Sequence, residues 1–290
     1  MAIDHQDSTA GDSTGRRIGR YTVERGLGEG GMGAVYLAVD SVTGQRVALK
    51  ELTRHVAPNA ERSAAERDLM ARMKHPNIVE VRDFIDSDYG EFMALELVEG
   101  TTLRHRLATG PLPIREAFAV MHGLLTALDC AHRQGVVHGD IKPENVMITN
   151  AGDVKVADFG IARLAGDGQA SAGDDGGTMI GTPQYMSPEQ VLNRPIDGRS
   201  DIYSAGVLCY EVFCGKPPFE ATEQEGAFTL FAKHVRADPA RPSQVRRKFD
   251  AQLEAAILKA LAKEPDDRYQ SAADFDRDLS AIADRLCHRA

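Results

Sequence analysis

Three side chains that can do chemistry stand close together in HGDIKPEN, residues 138–145. Asp140 can accept a proton from a hydroxyl, Lys142 can neutralise negative charge, and Asn145 can bind a metal ion through its amide oxygen. A further acid, Asp158 in ADFG, follows thirteen residues after Asn145. Carboxylate and amide oxygens suit magnesium, which also keeps water and substrate phosphates as ligands. The spacing predicts phosphoryl transfer, with Asp140 as base and with Asn145 and Asp158 as metal ligands.

A simpler interpretation is a polar loop in which Asp140 and Asn145 only cap turns. The second acid weighs against it, because Asp158 ends the predicted strand VKVAD and its partner strand VMIT follows Asn145 directly. Two adjacent turns on one strand pair are therefore expected to bring the three oxygen-bearing side chains to one point.

A glycine-rich segment, GEGGMGAV at residues 28–35, can hold phosphates. Gly28, Gly30 and Gly33 allow backbone N–H groups to approach a ligand closely, and Val35 follows two residues later. A dinucleotide-binding fingerprint has the same glycine spacing, but it precedes a helix. Here AVYLAVD continues as a strand, and an ordinary hairpin turn does not need three spread glycines. The pattern predicts a phosphate-binding hairpin.

Lys50 ends the segment VALK and is a candidate phosphate ligand. In a strand, Val47 and Leu49 face one way while Ala48 and Lys50 face the other, so the small Ala48 leaves room for a flat ring beside the ammonium group. A strand lysine is usually a solvated surface residue. To bind phosphate, Lys50 needs a carboxylate that holds its flexible stem in place.

One helix is predicted among the first strands, and it carries two acids that can supply this carboxylate. We expect it over residues 59–73, because Asn59 suits an N-cap and Pro76 disfavours helical geometry in the residue before it. Glu66 is the candidate partner of the lysine, and Glu61 is its rival.

Hydrophobic periodicity divides the chain into a strand-rich part and a helical part. Residues 1–20 are expected to be a flexible lead-in, and strands are expected from Tyr21 to Val98. These strands are YTVERGL, AVYLAVD, RVALKEL, VEVRDFID and FMALELV. Beyond residue 99 we predict the strand pair VMIT and VKVAD and helices over 115–134, 200–214, 250–263 and 271–286, with Ser200 and Ser271 as N-caps.

The composition favours a globular protein of the cytoplasm. Hydrophobic residues make up 42% and charged residues 27%, and the apolar runs are too short for a membrane span or a signal peptide. A net charge of −9 argues against nucleic acid as the main partner. The four cysteines lack metal-ligand spacing, so buried reduced thiols are expected.

The ordered motifs resemble those of protein kinases, in particular the eukaryotic-like Ser/Thr kinases of bacteria. GEGGMGAVY, VALK, HPNIV, HGDIKPEN, DFG, GTPQYMSPE, SDIYSAGV and DDRY follow the family's order between about Tyr21 and Leu286. The resemblance implies an α+β, bilobal fold: a small antiparallel β lobe (21–98) with one main helix, and a larger helical lobe (99–290). It also implies ATP with Mg2+, or with Mn2+ as a substitute. Lys142 in DIKPEN resembles Ser/Thr kinases rather than tyrosine kinases.

The resemblance further implies a nucleotide site. Leu95 corresponds to the gatekeeper, Glu96 to Val98 form the hinge, and Met147 lies beneath the adenine. The residues expected to contact the nucleotide are Leu27, Gly28, Gly30, Gly33, Val35, Ala48, Lys50, Leu95, Glu96, Val98 and Met147.

The activation segment, 158–189 by resemblance, is expected to be anchored by a buried ion pair between Glu189 and Arg268. Thr182 in GTP is expected to touch the catalytic Asp and Lys through its hydroxyl. Residues 165–177, rich in Gly and Asp, are predicted to be mobile.

Gly139 departs from the family pattern, which has Arg beside the catalytic Asp. That Arg receives a phosphothreonine of the activation segment through charge-assisted hydrogen bonds. Thr178 and Ser171 are candidate phosphorylation sites. Without the guanidinium group, we expect a phosphate on Thr178 to have a weakened effect on activity.

Three other functions fit part of the sequence. A pseudokinase or nucleotide-binding scaffold is supported by Gly139 alone. Small-molecule kinases for aminoglycosides or choline share His-Gly-Asp but lack GTPQYMSPE, which forms a peptide platform in protein kinases. A binding arm at 165–177 has only composition behind it. We therefore expect an autophosphorylating Ser/Thr protein kinase, with protein substrates and a second copy of the chain as partners; its transfer residues are Lys50, Glu66, Asp140, Lys142, Asn145 and Asp158.

Overall fold

The computed structural model describes residues 14–30, 33–52, 67–159, 163–164, 182–222 and 224–287. They form two compact units. The first runs up to Thr102 and also includes Met147–Ala157, and the second comprises Leu103–Val146 and the chain from Asp158 onward. A single boundary after residue 98 is predicted from the sequence, so segment 147–157 belongs to a different unit from the one predicted.

The strands of the described residues form three sheets. The strands are β1 (Arg17–Ile18), β2 (Tyr21–Gly30), β3 (Gly33–Asp40), β4 (Arg46–Leu52), β5 (Val81–Ser87), β6 (Gly90–Glu96), β7 (Gly100–Thr102), β8 (Val136–Val137), β9 (Val146–Thr149), β10 (Val154–Val156) and β11 (Arg163–Leu164). The largest sheet has six strands in the order β1-β2-β3-β4-β6-β5, and the other two have the orders β10-β9-β7 and β11-β8.

Backbone pairing explains why segment 147–157 joins the first unit. Strand β9 pairs with β7, so that Met147 lies opposite Thr102. The backbone N–H of Val79 donates to the carbonyl of Val156 at 2.9 Å, and Ile78 forms a bridge with the same residue. The two short strands therefore complete the first unit, although they follow the first long helices in sequence.

Strand structure starts earlier than predicted. Residues 1–20 are predicted to be a flexible segment, but Arg17 pairs with Thr22 and Ile18 pairs with Tyr21. Ile18 is 1% exposed and belongs to the apolar core on one face of the sheet. One apolar residue among polar ones was too weak a pattern to indicate a strand.

The predicted alternation along β4 is confirmed. Val47 and Leu49 pack in the apolar cluster on one face of the sheet, whereas Ala48 packs in a second cluster with Val35. Both neighbouring strands pair with β4 in this register, since Lys50 lies opposite Val35 of β3 and opposite Met93 of β6. The strand therefore fixes the direction in which Lys50 leaves the backbone.

The helices account for most of the second unit. The predicted helices over 115–134, 200–214, 250–263 and 271–286 are all confirmed, with shifts of a few residues at their ends. Helical residues 67–72 (α1) belong to the first unit. The helices of the second unit are α2 (Leu103–Ala108), α3 (Ile114–His132), α4 (Pro188–Val191), α5 (Gly198–Cys214), α6 (Gly226–Arg236), α7 (Pro242–Val245), α8 (Ala251–Ala260) and α9 (Ala272–Cys287).

Helix α5 is the centre of the second unit, because every residue from Ser200 to Phe213 is buried. Helices α3, α8 and α9 pack against it. Its N-cap is Asp197, whose carboxylate accepts from the Arg199 N–H at 2.8 Å. The prediction of Ser200 as N-cap is wrong, because that hydroxyl donates to the buried carboxylate of Glu189.

The second predicted cap is confirmed. The Ser271 hydroxyl accepts from the Asp274 N–H at 3.1 Å and donates to the same residue's carboxylate, which satisfies an otherwise unpaired donor at the start of α9.

Cys209 and Cys287 are buried, Cys130 and Cys214 are partly buried, and the four are free thiols. Within the described ranges, no helix combines the length and the apolar character that a membrane span requires.

Candidate active site

Asp140 is the centre of the contacts in the catalytic loop. Its Oδ2 lies 2.6 Å from Nζ of Lys142 and 3.3 Å from Nδ2 of Asn145, which also donates to the Asp140 carbonyl at 2.8 Å. The backbone N–H of Thr182 donates to Oδ1 at 3.2 Å. The Asp140 side chain is 3% exposed. The structure thus brings together four residues predicted from sequence, and it surrounds a buried carboxylate with donors.

Thr182 contacts the catalytic Asp, but not as the resemblance implies. The contact is made by its backbone N–H rather than by its hydroxyl. Thr182 has extended geometry directly before the 3₁₀ turn Pro183–Tyr185. This geometry aims the N–H at Asp140, so the backbone makes the contact whatever the side chain.

Proline sets the local shape of the loop. Pro143–Asn145 is a 3₁₀ turn that begins directly after Lys142, and the Asn145 N–H donates to the Lys142 carbonyl at 3.0 Å. A proline at the first position of such a turn has its φ angle already restricted and lacks an N–H that would be unpaired there. The turn brings the amide of Asn145 back to Asp140, and β9 begins at the next residue.

Gly139 adopts a backbone conformation that suits glycine. Its φ is +74°, its N–H donates to Asp201 at 2.8 Å, and its carbonyl accepts from Nε2 of Gln190 at 2.6 Å. A Cβ at this position would meet only Cδ1 of Ile196, at 3.9 Å. Space therefore admits a side chain, but a non-glycine residue here would add backbone strain of about 1–2 kcal/mol. Two hydrogen bonds hold the loop in this conformation.

Asp201 of α5 fixes the start of the catalytic loop, a role that was not predicted from the sequence. Its buried carboxylate accepts from the N–H groups of His138 and Gly139, both at 2.8 Å, and lies 2.7 Å from Nε2 of His132. Burial alone would raise the pKa of Asp201, but the hydrogen bond from His132 and the nearby positive charge hold that pKa below its usual range. The available signal was an acid at the start of a largely apolar helix, since a buried charge needs partners.

Asp158 lies directly before Phe159, whose ring packs edge-on against His138 with the centroids 4.7 Å apart. Residues 158–159, the described part of the loop that follows β10, therefore lie beside the start of the catalytic loop. Asp158 has φ of +68°, the left-handed region, which costs about 1 kcal/mol or more for a residue other than glycine. Such conformations cluster at ligand sites, which fits a carboxylate aimed by its backbone.

The donor set fits a hard divalent cation. Asn145 uses its amide nitrogen to bond Asp140, so its amide oxygen is the atom that can bind a cation. Asp158 supplies a carboxylate from the same unit. No group of three or more His, Cys, Asp or Glu that could hold a metal occurs in the described ranges. Magnesium with two protein ligands and substrate phosphates does not need one. Asn145 and Asp158 as ligands stay a prediction.

The first unit contains the predicted nucleotide-binding residues. Lys50 is 7% exposed on β4, and the side chains beside it form one apolar cluster. Glu96 ends β6, and its carboxylate lies 2.9 Å from Nζ of Lys155. The predicted residues in the cluster are Val35, Ala48, Leu95, Val98 and Met147, with Leu27 packed against it. An apolar lining beside a buried ammonium group suits a ligand with a flat ring and phosphates.

The glycine-rich segment is a hairpin, as predicted. Gly28 lies opposite Val35, and Gly30 lies opposite Gly33. Gly33 is required, because a Cβ there would collide with the carbonyl oxygen of Glu51 on β4 and because its φ is +115°. The strand after the glycines excludes a dinucleotide-binding fingerprint, which would continue as a helix.

Other predicted site residues lie outside the described residues. They are Glu66 and its rival Glu61, and the candidate phosphorylation sites Ser171 and Thr178. Their roles stay predictions.

The ion pair between Glu189 and Arg268 is as predicted, and it is buried. The guanidinium group donates to the two carboxylate oxygens at 2.7 and 2.9 Å, and the Arg268 side chain is 0% exposed. Its remaining N–H groups donate to the carbonyls of Ala262, Arg199 and Lys263, each at 2.8 Å. All five donors of the guanidinium group are therefore used.

Loss of either partner is expected to destabilise the second unit strongly. Arg268→Ala should lower the free energy of unfolding by about 3–5 kcal/mol, because it leaves the Glu189 carboxylate buried without its charge partner. Urea unfolding followed by circular dichroism measures the change. Arg277→Ala is the matched control, because Arg277 pairs with Asp274 at the surface and such pairs contribute about 1 kcal/mol or less. Equal effects of the two substitutions would contradict the anchoring role.

Comparison with known proteins agrees with this geometry. Residues 21–277 match the protein-family model described as "Protein kinase domain". The chain is 39% identical over 276 residues to the probable serine/threonine-protein kinase PknB of Corynebacterium glutamicum, covering 91% of this chain and 42% of that protein. It is 39% identical over 271 residues to PknB of Mycobacterium tuberculosis, covering 91% and 43%. The chain thus spans less than half the length of these curated relatives.

A solved structure gives the same result for the fold. The crystal structure of the Mycobacterium tuberculosis PknI kinase domain matches with a TM-score of 0.73 and 29% sequence identity, over 92% of this chain and 98% of that one. The antiparallel sheet of the first unit and the helices of the second are the α+β architecture expected from the sequence. The chain belongs to the protein kinase family.

Proposed function

We propose that this chain transfers the γ-phosphoryl group of ATP to Ser and Thr hydroxyls of protein substrates, with magnesium as the metal ion. The observation that carries the proposal is the buried Asp140 carboxylate, held by Lys142, Asn145 and the Thr182 N–H. Members of the protein kinase family use ATP and a divalent metal. Serine/threonine specificity is supported by the names of the relatives and by Lys142 in DIKPEN.

Each residue of the catalytic loop has a distinct task in this proposal. Asp140 orients the acceptor hydroxyl and takes its proton as the oxygen bonds to phosphorus. Lys142 stabilises the negative charge on the transferring group, and its contact with Asp140 keeps the ammonium group in place. When bound, ATP supplies the phosphoryl group and leaves as ADP. Asn145 and Asp158 would hold the metal ion, and Lys50 would bind phosphate oxygens.

Control of activity is proposed to differ from that of relatives with Arg at position 139. The loop conformation is held by Asp201 on the N–H side of Gly139 and by Gln190 on its carbonyl side. These bonds do not require a phosphate. We therefore propose that autophosphorylation, on Thr178 or Ser171, is not needed to order the catalytic loop. Because the reaction consumes ATP, we propose a location in the cytoplasm. A second copy of the chain is the proposed acceptor in autophosphorylation.

The test is a transfer assay that separates acceptor classes. The protein is incubated with γ-labelled ATP and Mg2+ in the presence of a generic basic protein, an aminoglycoside or no acceptor. We expect label on Ser and Thr of protein only, with turnover of about 1–100 per second for a good substrate. Removal of Mg2+ with EDTA should abolish transfer, and added Mg2+ should restore it.

Two outcomes would reject the proposal. Label on the aminoglycoside but never on protein would establish a small-molecule kinase. ATP binding without transfer to any acceptor would establish a nucleotide-binding scaffold.

A further inference from the structure

Gln190, in α4, uses both ends of its side-chain amide. Its Oε1 accepts from the backbone N–H of Ser187 at 2.9 Å, and its Nε2 donates to the carbonyl of Gly139 at 2.6 Å. Because the Ser187 N–H needs an acceptor and the Gly139 carbonyl needs a donor, these two partners fix which way the amide is turned. A single side chain therefore joins the start of α4 to the residue before Asp140.

The carbonyl that Gln190 binds belongs to the peptide group between Gly139 and Asp140. The N–H of the same peptide group donates to Nδ1 of His138 at 3.2 Å. The preceding peptide group is held separately, since the Gly139 N–H donates to Asp201. Glycine restricts its own backbone angles less than any other residue, so hydrogen bonds on both sides of Gly139 have to set them. The bond from Gln190 therefore helps to fix the direction in which Asp140 leaves the loop.

Helix α4 is a firm support for this bond. The Ser187 hydroxyl, which is buried, accepts from the Gln190 N–H at 3.3 Å and completes a capping box at the start of the helix. Glu189, the residue before Gln190, is held in the buried ion pair with Arg268. The backbone that carries Gln190 is thus both capped and tied to the core of the second unit. A donor on such a support can hold a loop whose own backbone is permissive.

We propose that Gln190 is a positioning residue for Asp140, because it sets the orientation of the peptide group between Gly139 and Asp140. The proposal deepens the proposed function and rests on it. Gln190 does not touch the reacting atoms; it acts through the Gly139 carbonyl. The chain directly after Glu189 would then shape the catalytic loop without a phosphate in between.

Two substitutions separate the two ends of the amide. Gln190→Glu keeps an acceptor for the Ser187 N–H but places a second oxygen against the Gly139 carbonyl. Gln190→Lys keeps a donor for that carbonyl but has no acceptor. We expect Gln190→Glu to lower kcat by about tenfold, which is what loss of one hydrogen bond contributes, with KM for ATP and for an acceptor peptide within about twofold of wild type. Gln190→Lys should keep kcat within about threefold of wild type.

Hydrogen–deuterium exchange measures the loop without the reaction. Amides in a peptide covering residues 136–145 should exchange about fivefold faster in Gln190→Glu than in wild type, because the loop opens more often. A peptide from α5 should exchange at the wild-type rate. This pair of peptides separates a local change of the catalytic loop from a general loss of stability.

Gln244→Glu is the matched control. Gln244 is the third residue of α7, as Gln190 is the third residue of α4, and both helices begin with proline. The Oε1 of Gln244 also accepts from the backbone N–H three residues earlier, that of Arg241, at 3.1 Å. Helix α7 packs against α5 and α8. Gln244→Glu should therefore leave kcat and the exchange of the catalytic loop within about twofold of wild type.

The results distinguish the role of Gln190 from the proposed function. Wild-type kcat or wild-type loop exchange in Gln190→Glu, or a Gln190→Lys variant as impaired as Gln190→Glu, would overturn the positioning role. If Gln190→Glu does not fold, Gln190→Met removes both polar atoms, and Gln190→Lys should then be about fivefold faster than Gln190→Met. Absence of transfer by the wild type would contradict the kinase function, while the exchange of the loop would still decide whether Gln190 positions it.

Discussion

An Asp140→Asn variant is expected to fold and to bind ATP but to lose about a thousandfold in kcat. The amide has nearly the shape of the carboxylate, but it cannot take the proton of the acceptor hydroxyl. The two carboxylate oxygens accept from different donors, Oδ2 from Lys142 and Asn145 and Oδ1 from the Thr182 N–H. However the amide is turned, its NH2 group faces a donor. The substitution therefore also displaces the surrounding donors.

Initial rates of transfer measure the loss in kcat. Binding of a fluorescent nucleotide measures whether the variant still binds ATP. Asp153→Asn is the matched control, because Asp153 lies in the exposed turn between β9 and β10. Its rate should stay within about twofold of wild type, as surface substitutions have small effects. A rate for Asp140→Asn within tenfold of wild type would show that another group acts as base. Loss of nucleotide binding would show that the substitution damaged more than the proton transfer.

The catalytic loop could be predicted from sequence because its residues are local. Asp140, Lys142 and Asn145 lie within six positions, and Pro143 starts the turn that joins them. Their mutual distances are set by one 3₁₀ turn, so spacing in the sequence fixes spacing in the structure. The same holds for Ala48 and Lys50, which share a face of β4 because side chains alternate along a strand.

The support of the loop could not be predicted, because it comes from distant parts of the chain. Asp201 lies 62 residues beyond Gly139 and binds its N–H. Arg104 reaches Glu211 across 107 residues. Nothing in local spacing identifies such partners; only the rule that a buried charge must be paired shows that each has one. The contact through the Thr182 N–H was missed for a related reason, since it depends on backbone direction rather than residue type.

A Lys50→Met variant is expected to lose transfer by about a hundredfold or more while the protein stays folded. Methionine keeps an unbranched apolar stem of similar length, so contacts with Val35 and Met93 on the paired strands can be kept. What is removed is the ammonium charge, which in the proposed function stabilises the phosphate oxygens of ATP. The loss should be larger in kcat than in the affinity for ATP, because negative charge develops on the oxygens of the leaving phosphate in the transition state.

The stability of Lys50→Met should change little, because methionine keeps the apolar stem of a side chain that is 7% exposed in wild type. Arg46→Met on the same strand is the matched control, since Arg46 is 61% exposed and pairs with Glu24. It removes a positive charge of β4 without touching the apolar cluster around Lys50. Steady-state kinetics and urea unfolding of the two variants separate a catalytic from a structural role. An unfolded Lys50 variant, or one as active as Arg46→Met, would contradict the role of Lys50 as a phosphate ligand.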